Sequence, residues 1–209
     1  MKKDTKSLVL LGVLTAIELV FLLTPIGTVP IGPLSISLGM IPVAIAAIAL
    51  GPVGGLILGS VFGIMSFLQC FGIGVPSGMG AILAGINPVL AFVQRFFPRA
   101  IDGFLVGLIY QAVAKLNKQT ACFAAGFSAA FLNTVLFMGS LVLLFGNTEY
   151  VQELMAGRNV IAFIVAFVGI NAVVEMVAST IVTGLVGVAL IAARLIGSEK
   201  DSKPVPKAA

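Results

Sequence analysis

Few side chains in this 209-residue chain can do chemistry: eight Asp or Glu, twelve Lys or Arg, two Cys and no His. Without His the usual metal ligand and general base are missing, and two Cys cannot build a thiolate metal site or an iron–sulfur cluster. No metal ligands and no cofactor are therefore assigned. No Gly-x-x-x-x-Gly-Lys-Ser/Thr run occurs, so the chain has no phosphate cradle of its own, and energy for any pumping must come from elsewhere. The polar residues that stand inside or beside apolar runs are Glu18, Gln69, Arg95, Arg99, Asn133, Thr134, Asn171 and Glu175. An ionisable group in a membrane helix costs about 2.5 to 3.5 kcal/mol on insertion scales, and it usually faces the bundle interior or a wet cavity. Asn171 and Glu175 are four apart and share one helix face. Arg95 and Arg99 read either as an anion site at a cavity mouth or as an ion pair with Asp102, or a snorkelling pair, at the interface. Gln69 and Asn133 read equally as ligand contacts or as interhelical glue worth about 0.6 kcal/mol each. Glu18 and Glu175 could do acid–base work if their environments differ. No nucleophile, metal site or cofactor loop accompanies them, so no catalytic residue is assigned and the chain is not read as an enzyme.

The elements that must position these groups are membrane helices. Hydrophobic residues make up 59% of the chain and charged residues 10%, and the mean hydropathy is +1.18. A soluble domain carries about 25% charge, and one span needs about 20 apolar residues. Six spans are expected, at about 8–23, 35–50, 53–71, 100–116, 121–144 and 168–195, within a single membrane domain over 1–209. The proline- and glycine-rich stretch from Thr24 to Pro33 must be a loop, and Gly51-Pro52 a tight turn between spans 2 and 3. Residues 72–99 are expected to form an outer loop with a short helix, and 197–209 a cytoplasmic tail. The apolar run from Leu8 lacks a convincing cleavage site and is read as a retained first helix.

The net charge of +4 is a topology signal and not a nucleic-acid footprint, because the basic residues cluster at span ends. Lys2, Lys3 and Lys6, then Lys115 and Lys118, then Arg194, Lys200, Lys203 and Lys207 all fall on one side of a six-span chain. The positive-inside rule makes that side cytoplasmic, with both termini there and Arg95, Arg99 and Glu153 accessible from outside. Small residues recur at four-residue spacing, which lets helix backbones approach closely. Gly55, Gly59 and Gly63, Gly103 with Gly107, and Ala121 with Ala125 and Ala129 are expected to pack the bundle internally. Gly12 and Ala16, in the first helix, stand where a partner subunit could reach them.

The stretch Val29-Pro30-Ile31-Gly32-Pro33-Leu34-Ser35-Ile36-Ser37, then Ile41-Pro42 through Leu50-Gly51-Pro52, then Gly54-Gly55 and Gly59-Ser60-Val61-Phe62-Gly63, resembles the substrate-binding S components of energy-coupling factor (ECF) vitamin transporters. Within that family, Ile-Gly-Pro-Leu-Ser-Ile and the Ile86–Gly103 stretch are most similar to the pantothenate-specific branch. The resemblance implies an all-α integral membrane protein, a six-helix bundle of the S-component type, multi-pass in the cell membrane. It implies capture of a vitamin at the outer face and association with the transmembrane coupling subunit EcfT and two ATP-binding subunits. The family's small-x-x-x-small contact with the coupling subunit falls on Gly12 and Ala16, and its lid on Thr24 to Leu34. Pantothenate carries a carboxylate, two hydroxyls and an amide. Arg95 would supply the cation, and Asn87, Asn133, Asn171, Gln69 and Glu175 the polar contacts, although Glu175 is awkward near a carboxylate unless it accepts a hydroxyl proton or pairs with an arginine. Another water-soluble vitamin, such as folate or riboflavin, is the alternative.

Overall fold

A computed structural model describes residues 3–31 and 34–196; Lys2, Gly32, Pro33 and the expected tail at 197–209 lie outside the described residues. Helix α1 (Lys3–Leu23) leads into strands β1 (Thr28–Ile31) and β2 (Leu34–Ser37). There follow α2 (Met40–Leu68) with a closing 3-10 turn at Gln69–Phe71, α3 (Gly78–Ile86), α4 (Pro88–Ala114), α5 (Lys118–Phe145), α6 (Glu149–Met155) and α7 (Val160–Ala192). Most helix starts are written in the sequence as side-chain caps. Ser77 accepts from Gly80 N, Asn117 from Gln119 N and Thr120 N, Thr148 from Val151 N, and Asn159 from Ala162 N.

Helix α2 is a hairpin and not one continuous rod. At Gly51 the backbone leaves helical geometry with φ 77° and ψ −170°, a conformation that favours glycine, and Pro52 starts the second arm. A Cβ placed on Gly39 would lie 3.1 Å from Phe62 Cζ, and one on Gly55 2.9 Å from Ala47 Cβ. In a straight helix Gly39 and Phe62 would stand about 34 Å apart, so the arms must run antiparallel. Five helices are long and apolar enough to cross a membrane when α2 is counted once; the turn at Gly51 makes six crossings. The first arm, 40–50, is about 16 Å long and covers only part of a hydrocarbon core of about 30 Å.

The glycine stripes set the tightest crossing. A Cβ on Gly55 would collide with the Gly103 carbonyl, one on Gly59 with the Arg99 carbonyl, and one on Gly63 would sit 2.8 Å from Phe96 Cα. The second arm of α2 and α4 therefore meet backbone to backbone. On the other side Gly126 meets the Ser179 carbonyl of α7, and Ala121, Ala125 and Ala129 are fully buried. The core divides into two apolar clusters. One, around Leu14, the first arm of α2, Leu58, Phe62, Val106 and Ala125, lies toward the termini. The other, around Met79, Leu83, Phe137, Leu141, Phe145 and Phe163, lies toward the β-hairpin end.

Two expectations are corrected. The stretch read as loop, and the start of the span at 35, form an antiparallel hairpin with Val29 opposite Ile36; β-branched residues here favour extended backbone, and α2 begins only at Met40. The segment 72–99 is not an outer loop with one short helix. Asn87-Pro88 looks like a chain break but is a start signal, with Asn87 Oδ1 accepting from Val89 N and Leu90 N and Pro88 in the first turn. Consequently α4 begins twelve residues before the expected 100. Pro98 lies inside that helix, which neighbouring helices make tolerable in a membrane bundle. Helix α7 runs from Val160, after the short α6, and its stretch apolar enough to cross a membrane, Asn171–Ala192, falls within the expected span at 168–195.

Candidate functional site

Between the two apolar clusters lies a cavity lined by both polar and apolar side chains. Every wall comes from the half of the bundle nearer the hairpin. Ser37 follows from β2; Phe62, Ser66 and Gln69 from the end of α2; Val75, Ser77 and Met79 from the entry to α3; Arg95 and Arg99 from α4; Asn133, Thr134, Phe137 and Met138 from α5; Val168, Asn171, Ala172 and Glu175 from α7.

Two arginines dominate it. Arg95 and Arg99, four apart on one face of α4, are 5% and 6% exposed. The Arg95 guanidinium donates to Ser66 Oγ at 3.4 Å and Ser77 Oγ at 3.1 Å, and Arg99 donates to the Arg95 carbonyl at 3.0 Å. Both lie over the Phe137 ring, at 5.1 and 4.6 Å from its centroid, and Arg99 also lies 4.9 Å from that of Phe62. Aromatic faces hold guanidiniums flat and contribute about 2 kcal/mol when desolvated. Gly80 makes the room, since a Cβ there would sit 2.8 Å from Arg95 Nη2.

No hydrogen bond neutralises this pair. Asp102 is fully buried and neither carboxylate oxygen has a hydrogen-bond partner, and the Nε of each arginine is also unpartnered. The ion pair with Asp102, one of the alternatives read from the sequence, is therefore not made through a hydrogen bond. Nor are Arg95 and Arg99 openly accessible at the end of the bundle; both are enclosed in the wall. Among the described residues, the cavity wall thus carries two buried guanidiniums with no hydrogen-bonded carboxylate.

Five of the six residues expected to touch a ligand meet in this cavity: Arg95, Gln69, Asn133, Asn171 and Glu175. Asn87 does not, because its carbonyl oxygen caps α4. Gln69 donates to the Leu22 carbonyl at 2.9 Å, tying the end of α2 to α1. Asn133 Oδ1 is buried without a partner. Glu175 Oε1 accepts the Ser37 amide at 2.6 Å. Glu18 is fully buried on α1 and is not part of the cavity wall, so the two glutamates do not face a common ligand space. Sequence reading passed over Ser37, Ser66, Ser77, Phe62 and Phe137. The serines and rings carry no marker of their own; Arg95 and Arg99 stood out because they break the positive-inside pattern.

Gly12 and Ala16 lie on the exposed face of α1 with Leu8, Val9, Val13 and Val20. A Cβ on Gly12 would meet nothing within 4 Å, so neither residue is needed for internal packing.

A six-crossing bundle with a polar cavity near one end and a bare small-residue face on its first helix is the architecture of a membrane solute-capture subunit. The family described as "ECF transporter, substrate-specific component" matches residues 6–187, and the chain belongs to that family. It is thus a multi-pass membrane transport protein. It is 26% identical over 197 residues to a protein of Leuconostoc mesenteroides named pantothenate transporter PanT, covering 90% of this chain and 93% of that one. It is 28% identical over 171 residues to the pantothenic acid transporter PanT of Lactococcus lactis subsp. cremoris, covering 78% and 81%.

Proposed function

We propose that this chain is the pantothenate-capture subunit of an ECF transporter. The observation that carries the reading is the arginine pair: two buried guanidiniums, flattened on Phe137 and held by Ser66 and Ser77, with no hydrogen-bonded carboxylate between them. A carboxylate bound there regains the acceptors that the arginines lack. Asn133, Thr134, Asn171 and the carbonyl of Gln69 then offer donors and acceptors for two hydroxyls and an amide. Both relatives named above are pantothenate transporters, which supports this vitamin among those of the family. The rings of Phe62 and Phe137 are covered by arginine, which leaves little aromatic surface for a flat vitamin such as riboflavin or folate.

In this reading the hairpin end faces outside, both termini are cytoplasmic, and the chain sits in the cell membrane. The exposed Gly12–Ala16 face of α1 meets the coupling subunit EcfT, which brings two ATP-binding subunits. The deciding experiment is native mass spectrometry of the purified chain, followed by equilibrium binding of radiolabelled pantothenate. Retention of a different vitamin, unmoved by excess pantothenate, would reject the assignment.

A further inference from the structure

Glu175 stands in the cavity wall yet makes no hydrogen bond to Arg95 or Arg99, whose partners are Ser66, Ser77 and the Arg95 carbonyl. Its Oε1 reaches instead across 138 residues of sequence to the backbone amide of Ser37 at 2.6 Å. Ser37 is the last residue of β2 and pairs with Thr28, and Leu38 N closes the base of the hairpin on the Gly27 carbonyl at 2.8 Å. The side chain of α7 thus grips the hairpin at the point where it joins α2. A carboxylate can only accept, and an amide donated to an ionised acceptor gives about twice the strength of a neutral bond.

We propose that Glu175 is a positioning residue that ties the base of the β-hairpin to α7 at the edge of the cavity, and is not a ligand of the captured molecule. The proposal rests on the reading of this cavity as the vitamin site. It gives the acid a partner other than the cargo, since Glu175 Oε1 accepts from the Ser37 amide.

The test uses the full chain in nanodiscs. In hydrogen exchange without ligand, Glu175→Ala should speed exchange of the hairpin amides around Ser37 by roughly tenfold or more, the scale of a hydrogen bond to a charged group. Glu175→Gln, which keeps a carbonyl acceptor, should speed it less. Ser37→Pro deletes the donor from the other side; its effect on neighbouring hairpin amides should match that of Glu175→Ala, and the double variant should add nothing further. With radiolabelled pantothenate, dissociation should accelerate to a similar degree, while the ratio of affinities for pantothenate and pantothenol should stay within about twofold. Unchanged hairpin exchange in Glu175→Ala would overturn the tie whatever the vitamin is, and so would a collapse of the acid-to-alcohol ratio, which would place Glu175 among the groups that read the charge. Failure of the wild type to bind pantothenate strikes the proposed function instead, and leaves the exchange result to decide the tie.

Discussion

Truncating Arg95 to Ala tests the charge reading most directly. Arg95 is 5% exposed, so its attraction for a carboxylate is poorly screened, and removing one partner of a buried pair generally costs about 3 to 5 kcal/mol. Arg99 remains over the same Phe137 ring, 4.6 Å from its centroid, and can take part of the charge. The lower end, about 3 kcal/mol or a loss in affinity of roughly a hundredfold, is therefore expected for pantothenate. Pantothenol offers a hydroxyl in place of the carboxylate and should lose only the worth of a neutral hydrogen bond, about 0.5 to 1.5 kcal/mol. Equilibrium binding of both compounds to wild type and variant yields the difference, with a thermal melt of each protein as control for folding. Arg95→Lys should recover part of the loss, because a point charge cannot hold both Ser66 and Ser77 in a planar fork. Arg99→Ala should show the same preference, and the double variant should lose less than the sum, since both cations read one anion. Equal losses for acid and alcohol would refute the argument. Arg95 would then serve only to join α2 and the α3 entry through its two serines.

Four further outcomes are expected. Leu at Gly12 or Ala16 should weaken co-purification with the coupling subunit while pantothenate binding by the isolated chain survives, because a Cβ on Gly12 meets nothing inside the fold. Gly55→Leu should lower thermal stability sharply and cut yield, by more than 3 kcal/mol if refolding can be measured, since even a Cβ collides with the Gly103 carbonyl. Gly80→Ala should weaken pantothenate binding more than pantothenol binding, because the new methyl would sit 2.8 Å from Arg95 Nη2. Single cysteines at exposed Leu116 and Glu153, in a background without Cys70 and Cys122, should react with an impermeant reagent from opposite sides of the membrane; labelling of both from one side would reject the orientation.

Much of the scaffold was legible because it depends on local rules. Gly51-Pro52 signals a turn by chemistry alone, and the glycine spacings of α2 and α4 announce a close crossing without naming the partner helix. The site was legible where cost betrays function: a charge inside an apolar run has few reasons to exist, and Arg95 and Glu175 were found that way. Asn87 was misassigned because a polar side chain before a proline satisfies two descriptions, a ligand group or an N-cap, and only the position of α4 decides. The serines that hold Arg95 were invisible for the opposite reason. Ser66 and Ser77 have a role only once α2 and α3 are folded beside α4, and the bond from Glu175 to Ser37 joins segments whose proximity no periodicity encodes.

The distribution of rigidity in the bundle bears on how a ligand can enter. The arginines stand on α4 at its tightest crossing, where Gly59 lies against the Arg99 carbonyl and Gly63 against Phe96. Backbones in such contact cannot slide or separate without losing packing along the whole seam. The crossing of α5 with α7 is closed in the same manner by Gly126 against the Ser179 carbonyl. Opening the cavity by parting either pair would disrupt helices that also form the core. Among the described residues the hairpin is tied at its base by Leu38 N to the Gly27 carbonyl and by Ser37 N to Glu175 Oε1. Gln69, donating to the Leu22 carbonyl, connects the cavity wall to the helix whose opposite face carries Gly12 and Ala16. In the proposed reading, capture and docking occupy separate surfaces joined through α1, so a substitution that damages one should spare the other.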